Sequence, residues 1–533
     1  MSSRVNDLAR LIEREAAAQP DFPVLTFVHV EADGSLGSTV RNYGSLWSNG
    51  RKFAAWLQQQ GVAPGDSVVV MMRNYPEFVE VMVASALIGA VLVPIDSRSM
   101  GEKLAYMIDH VGAEVVIAEA SALPALDAVM PQLVAKPTLL SIDDYAGLAL
   151  VNITPRPVED VWNTCDTRLA PLMPDPHAPM YLMFTSGTTG NPKAVVRTHA
   201  SYMKGLKGLR ALGVQQGDVL YTGLPLCHIN AHSTLAAGLS MGLRTVISRQ
   251  FTKSRLWEVC RAHGCTVFTL LGGMIPEIYA VPARDDDAAN PVRLVISSGM
   301  PADLWEKYEK RFGVTITEVY GSTENGGTLI NRMGEGPRGS MGKPPKGLIA
   351  AVLDEQDRPC APYQPGNLCF RKEVGGTEPI AYFGNAKASA EKVAGGWFRS
   401  GDIAYVDENG WFYFQHRVGG GVRRNGDFVN TALVETVLAQ SPAVLDVYVY
   451  GVATARNVAG EKALVAAVVL AEGNGIADVQ VWAAGHLQRN EIPEIWQVLP
   501  DIPKTVSQKP VERECIALLQ SVGLLSAYEE RRA

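Results

Sequence analysis

The sequence predicts an α/β protein: layered, largely parallel sheets and helices in a large N-terminal domain, then a small α+β domain. Three observations predict it. Helical patterns alternate with short β-branched runs along most of the chain. Three consecutive glycines, Gly419-Gly420-Gly421, break that alternation late in the sequence. The length of 533 residues, with 47% apolar and 19% charged content, is enough to bury more than one core.

Taken in order, Met1 to Gln19 mixes Arg4, Asp7, Arg10, Glu13 and Glu15 among apolar positions at helical spacing, unlike the unbroken apolar core of an export signal. Tyr43 to Gln60 reads as a helix, and Ser67 to Met71, Glu114 to Ile117, Thr245 to Ser248 and Val292 to Ile296 read as strands. The greasiest run, Val81 to Pro94, is too short for a membrane span and ends in proline, so it reads as a buried helix feeding a strand. Strands at Tyr181 to Phe184 and Ala194 to Arg197 flank a polar, glycine-containing loop, and a helix begins near His199. Past the glycine triplet come Arg423-Arg424, a helical pattern from Ala432, strands at Val444 to Val452 and Ala463 to Leu470, and helices at Asp478 to Gln488 and Val511 to Ser521. The expected domains are therefore residues 1–418 and 419–533, with Gly419 as hinge. No internal repeat of fixed period points to a solenoid.

A net charge of −7 gives no general attraction to nucleic acid or to an anionic membrane, and neither is expected as a partner. The seven cysteines are scattered and never spaced Cys-x-x-Cys, which signals neither a disulfide framework nor a zinc site and suits a cytoplasmic location.

The loop Thr185-Ser186-Gly187-Thr188-Thr189-Gly190-Asn191-Pro192-Lys193 has the chemistry of a polyphosphate cradle. Its glycines free backbone N–H groups to turn toward an anion, its hydroxyls add donors, and Lys193 adds a point charge. The alternative is an exposed turn closing a hairpin. It is not a Walker loop, because no Gly-Lys-Ser/Thr follows the glycines. Gly238-Leu239-Ser240-Met241-Gly242 matches the hydrolase pattern Gly-x-Ser-x-Gly, but that elbow needs a strand before the serine and a helix after it. Here the order is reversed, so Ser240 reads as part of a helix end.

Further motifs follow in order: Pro225-Leu226-Cys227-His228, Ser298-Gly299-Met300-Pro301, Tyr320-Gly321-Ser322-Thr323-Glu324, Gly339-Ser340-Met341-Gly342-Lys343-Pro344 and Ser400-Gly401-Asp402, then Arg417 and Lys509. With the phosphate loop, this series resembles the adenylate-forming superfamily of acyl-CoA synthetases, nonribosomal-peptide adenylation domains and firefly luciferase over nearly the whole chain. The resemblance implies ATP-dependent activation of a carboxylic acid, then thioester formation with coenzyme A. Joining a carboxylate to the α-phosphorus of ATP brings two anions together, so the site must neutralise charge at several points. Glu324 can hold Mg2+ through a hard carboxylate oxygen, and Thr323 can donate to the α-phosphate. Tyr320 offers adenine an aromatic face, Ser298-Gly299 lets backbone approach the base, and Asp402 can accept the ribose hydroxyls. By resemblance, Gly321 and Ser322 belong to the same nucleotide site, Arg417 is a further ribose contact, and Lys509 bridges carboxylate and α-phosphate. His228 sits at the mouth of the acyl pocket by resemblance; on its own it reads equally well as structural.

The small domain of this superfamily rotates between an adenylating state, presenting Lys509, and a thioester-forming state, presenting Arg424, Asn425 and Gly426 to CoA. Arg423 and Arg424 are candidate partners of the CoA phosphates or ordinary surface charges. Three departures stand out: Ala194 replaces a usual glycine, Gly419 replaces a charged hinge residue, and Gln508 replaces a glycine before Lys509. The alternatives to a CoA ligase are an enzyme that loads a carrier protein or stops at the adenylate, and a nucleotide-binding homologue without catalysis. Asn325-Gly326-Gly327, by resemblance in the acyl pocket, hints at room for a bulky, cyclic or aryl acid. None of the expected pocket residues supplies a cation for a second carboxylate.

Overall fold

The computed structural model describes residues 7–164, 169, 172, 175–185, 191–205, 208–272, 274–377, 380–417, 421–424, 427–454, 461–503 and 510–531. Two large sheets organise the N-terminal part. One has seven strands in the order Arg156–Pro157, Thr138–Ser141, Ala113–Ala118, Ser67–Met71, Val91–Pro94, Pro179–Thr185, Lys193–Thr198. Only its last pair is antiparallel. The other runs Thr328–Asn331, Thr315–Gly321, Leu294–Ser298, Val267–Leu271, Leu220–Thr222, Thr245–Ser248, Leu25–Val30, Leu36–Arg41, parallel inside with an antiparallel strand at each edge.

The helices Leu8–Ala18, Tyr43–Gln59, Pro76–Ile88 and Ile229–Met241 share one apolar core with both sheets. Pro76–Ile88 is buried almost all round, starts with proline and ends at Gly89 in the left-handed conformation, φ +75°. The greasy run thus becomes a buried helix leading into Val91–Pro94. Ser240 lies inside Ile229–Met241, which Gly242 caps at φ +62°, and the strand Thr245–Ser248 follows. This geometry is the reverse of a nucleophile elbow.

A third sheet, antiparallel, was not foreseen: Leu348–Leu353, Gly366–Lys372, Phe398–Val406, Phe412–Arg417. The motif Gly339 to Pro344 staples it to the eight-stranded sheet. Ile330 N donates to Lys343 O at 2.9 Å and Lys343 N to Ile330 O at 3.1 Å, while Met341 N donates to Phe412 O at 2.8 Å. Gly342, at φ +104°, leaves no room for a side chain: a Cβ would stand 2.0 Å from the carbonyl carbon of Ile330.

The small domain is α+β, as expected. Val444–Val452 pairs antiparallel with Ala463–Leu470, which pairs parallel with Ile495–Val498. The helices Thr431–Ala439, Ile476–His486, Glu512–Ser521 and Leu524–Arg531 accompany this sheet. A hairpin, Gly421–Arg424 with Asp427–Asn430, precedes the first of these helices, and the last glycine of the triplet, Gly421, opens its first strand. Gly419 lies outside the described residues. Among the described residues no helix is long and apolar enough to cross a membrane.

Candidate active site

The phosphate motif closes the last hairpin of the seven-stranded sheet. Thr185 stands in register with Lys193, and Thr185 Oγ1 donates to Lys193 O at 3.3 Å. Ser186, Gly187, Thr188, Thr189 and Gly190 lie outside the described residues. The outer side of Lys193–Thr198 is covered by a segment that pairs with it: Val196 N donates to Ala381 O and Phe383 N to Ala194 O, each at 2.8 Å. That pairing delivers Tyr382, whose ring centroid lies 5.4 Å from Lys193 Nζ. The methyl of Ala194 is fully buried in an apolar cluster, so the unusual residue there is accommodated by packing.

The hydroxyl of Tyr382 donates to Glu324 Oε1 at 2.7 Å. Glu324 is 8% exposed and follows the strand Thr315–Gly321 in a turn closed by Asn325 N donating to Ser322 O at 3.0 Å. Burial works to raise its pKa, but the charge of Lys392 and the hydroxyl of Tyr382 outweigh that and hold it below the usual carboxylate value. An ionised, nearly enclosed carboxylate results, with Ser322 and Thr323 half-buried in the same turn. Tyr382, which draws the phosphate-loop lysine and this glutamate together, carries no motif of its own.

Beside it, Ser298 ends a strand with its Oγ donating to Val319 O at 2.8 Å. Gly299 adopts φ +95°, where a side chain is rarely tolerated. Glu318 fixes this turn by accepting Gly299 N on one carboxylate oxygen and Met300 N on the other, the latter at 3.0 Å. Burial pushes the Glu318 carboxyl up to about 7. Tyr320 donates its hydroxyl to Asp402 Oδ2, and its ring stacks on Phe370 at 6.0 Å and 16°. Asp402 is buried, in register with Arg417, with its N–H bound to Ser400 Oγ at 3.1 Å. The expected adenine and ribose residues therefore share one wall, and Gly321 lies exposed at its edge.

His228 caps the helix Ile229–Met241, with Nε2 3.7 Å from Asp96 Oδ2. Burial raises the Asp96 pKa less than Arg98 and His228 lower it, leaving it well below the usual range. Asp96, Cys227 and His228 bring three potential metal ligands together. Both oxygens of Asp96 are already taken by Arg98, at 2.9 and 2.6 Å.

Packing explains the two glycines of Asn325-Gly326-Gly327: a Cβ on Gly326 would stand 2.3 Å from the Phe398 ring, and one on Gly327 2.1 Å from the Phe370 ring. The same three residues, with Thr328, Leu348 and Arg371, line a small open cavity. Arg424, expected to meet CoA, is engaged within the small domain. Its Nη1 donates to the carbonyls of Asn490 at 2.9 Å and Ile492 at 2.7 Å, and its Nε lies 3.4 Å from Glu494, all within the small domain. Arg423 instead reaches the large domain, its guanidinium 3.3 Å from where a Gly299 Cβ would stand. Asn425, Gly426 and Lys509 lie outside the described residues. The domains also meet where Lys103 pairs with Glu491 at 2.6 Å and Gln488 Nε2 donates to Ser99 Oγ at 3.2 Å.

Residues 12–375 match the family described as AMP-binding enzyme, and residues 433–509 match the AMP-binding enzyme C-terminal domain. The chain is 30% identical over 518 residues to a medium/long-chain-fatty-acid–CoA ligase of Mycobacterium marinum, covering 94% of this chain and 97% of that protein. It is 26% identical over 490 residues to a crotonobetaine/carnitine–CoA ligase of Salmonella paratyphi B, covering 89% and 92%. Among solved structures, an o-succinylbenzoate CoA synthetase double mutant from Bacillus subtilis bound to a product analogue matches with a TM-score of 0.78 at 21% identity, covering 95% of this chain and 97% of that one. The same enzyme with its acyl-adenylate matches with a TM-score of 0.65 at 21% identity, with the same coverage.

Proposed function

The chain belongs to the family of AMP-binding enzymes, and from that premise we propose that Lys193, Glu324, Tyr320, Asp402 and the Gly299 turn bind ATP against a carboxylic acid held near His228. It is an AMP-forming acid–CoA ligase. The observation that carries the residue assignment is Tyr382, which ties the phosphate-loop lysine to the buried, ionised Glu324. Glu324 fits a hard cation and is the residue that would hold Mg2+, which when bound offsets polyphosphate charge. Lys193 steadies the outer phosphates, Thr323 donates to the α-phosphate, and the Asp402 carboxylate accepts from the ribose. Lys509 brings the remaining positive charge to the acid and α-phosphate while the adenylate forms.

The division into residues 1–418 and 419–533 belongs to the same proposal, with Gly419 absorbing the rotation of the small domain. The contact of Arg423 with the Gly299 turn supports reading the described arrangement as the thioester-forming one. CoA is the proposed acceptor, with Arg423 the basic residue nearest the site. The six described cysteines are free, which suits the reducing cytoplasm.

The test is acid-dependent exchange of labelled pyrophosphate into ATP, followed by addition of CoA. Exchange with acyl-CoA formation supports the reading. Acid-dependent AMP release with no acyl-CoA, or a thioester formed only on a carrier protein, refutes the acceptor. No exchange with any of a panel of fatty and aryl acids refutes the activity. Lys509→Ala should abolish exchange far more than thioester formation from supplied acyl-adenylate.

A further inference from the structure

One turn inside the helix that His228 caps, a group of buried polar side chains has no partner adequate to its charge. Arg197 is 7% exposed and stands in register with Tyr181 on the strand that begins with Lys193. It makes no ion pair among the described residues, and its Nε has no hydrogen-bond partner there. The nearest polar company is the hydroxyl of Tyr181, itself fully buried. His232 stacks on the Tyr181 ring at 4.8 Å and 29°, and meets the edge of Tyr202 at 5.7 Å and 86°. His232 Nδ1 lies 3.4 Å from Leu226 O, while its Nε2 and the Tyr202 hydroxyl have no partner. His232 and Tyr202 are 1% and 4% exposed. A buried guanidinium without a carboxylate is costly, and each unpaired buried polar atom adds to that cost. Such a group costs least when an anion completes it.

The group also stands at a measurable depth. His228 and His232 are one helical turn apart, about 6 Å along the axis, and Lys193 and Arg197 are four strand residues apart, about 13 Å. Alternation along the strand puts Lys193 and Arg197 on the same face. We propose that Arg197, Tyr202 and His232 form an acyl-specificity subsite for a second carboxyl group, so that the acid activated is a dicarboxylic acid with its carboxyl groups about 6–13 Å apart. The carboxylate oxygens accept from Arg197 Nε–H, from the Tyr202 hydroxyl and from His232 in the neutral tautomer that carries its proton on Nε2. Burial holds the His232 imidazole down at about 4, so the ring stays neutral and the charge that balances the carboxylate is that of Arg197. The inference rests on the acid-ligase reading for the reacting carboxylate and supplies what the sequence did not show, a cation for a second one.

The test compares octanoate with octanedioate, acids of equal length, in pyrophosphate exchange and in calorimetric binding to the full chain. Octanedioate is expected to have the higher kcat/KM by roughly tenfold to a hundredfold, the range for a charge-assisted hydrogen bond. Arg197→Met should erase that preference while the octanoate rate and the KM for ATP stay within about twofold. Tyr202→Phe, which changes no volume, should reduce it about tenfold and serves if the Arg197 variant misfolds. Equal use of the two acids by the wild-type enzyme, or equal losses for both in the variants, overturns the subsite. Octanedioate binding that depends on Arg197 without any exchange upholds the subsite and refutes the ligase reading instead; no octanedioate binding at all refutes the subsite.

Discussion

Replacing Tyr382 by Phe removes one oxygen and leaves the ring that faces Lys193. The lost bond is a 2.7 Å hydrogen bond to a carboxylate that is 8% exposed, where water cannot take the hydroxyl's place. Hydrogen bonds to charged groups contribute about 1.5–3 kcal/mol, which corresponds to a factor of roughly 10–100 in a rate or binding constant. Glu324 stays ionised in the variant because Lys392 remains, so the loss is one of orientation. The expected result is a fall of that size in kcat/KM for ATP in pyrophosphate exchange, with a higher Mg2+ requirement and little change in KM for the acid. The loss should fall on adenylation, and thioester formation from supplied acyl-adenylate should be nearly intact. Unchanged ATP kinetics would refute the idea that Tyr382 links the phosphate loop to the metal-binding glutamate. An equal loss for acid and ATP would point to general damage instead.

Glu318→Gln should change how stability depends on pH. The folded-state pKa of Glu318, about 7, is above the ordinary value of 4.5, chiefly through burial and despite the nearby charge of Arg423. The folded protein therefore keeps a proton that the unfolded chain releases. Stability from this group is present below about pH 4.5, falls as pH rises, and is gone above about 7, a total of about 3 kcal/mol at about 1.4 kcal/mol per unit. The variant also loses one of the two acceptors for Gly299 N and Met300 N at every pH, so the expected result is a change of slope: its melting temperature relative to wild type should rise between pH 5 and pH 8; parallel melting curves across that range would contradict it. Arg424→Ala should lower thermal stability by about 2–3 kcal/mol, from the unpaired carbonyls of Asn490 and Ile492, without raising the KM for CoA. A raised KM for CoA with stability intact would restore the CoA contact. Lys103→Met removes the 2.6 Å pair with Glu491 and about 1 kcal/mol of domain docking, so it should slow the thioester step several-fold and spare pyrophosphate exchange. Equal effects on both steps would argue against a role in domain position.

The part of the site built from consecutive residues was legible in the sequence. Tyr320, Glu324 and Thr323 lie on one strand end and its turn, and Asp402 within three residues of its motif, so local spacing carried them. Tyr382 and Glu318 were not legible. Tyr382 arrives through pairing of residues 381–383 with a strand nearly two hundred positions earlier, and Glu318 acts on a turn reached only through the parallel register of Leu294–Ser298 with Thr315–Gly321. Nothing in a linear pattern marks such partners. The alternation of layers was legible too, but the antiparallel third sheet has short runs and bulges between Asn367 and Cys369 and between Ile403 and Ala404, which blur its period.

Gly326, Gly327 and Arg424 show why residue type alone leaves a role open. A glycine says that a side chain is unwelcome and leaves open whether the space serves a ligand or the protein; at Gly326 and Gly327 the rings of Phe398 and Phe370 occupy it. A pair of arginines in a strand says that one points each way, because successive side chains alternate faces. Which one faces the neighbouring domain depends on the parity of the register, and one residue of slip would exchange their roles. The register Gly421 to Asn430 and Arg424 to Asp427 sends Arg424 into the small domain's own carbonyls and leaves Arg423 for the Gly299 turn. A basic pair beside a hinge can thus both pin the small domain to itself and present one charge to the other domain, and only the fold decides which residue does which.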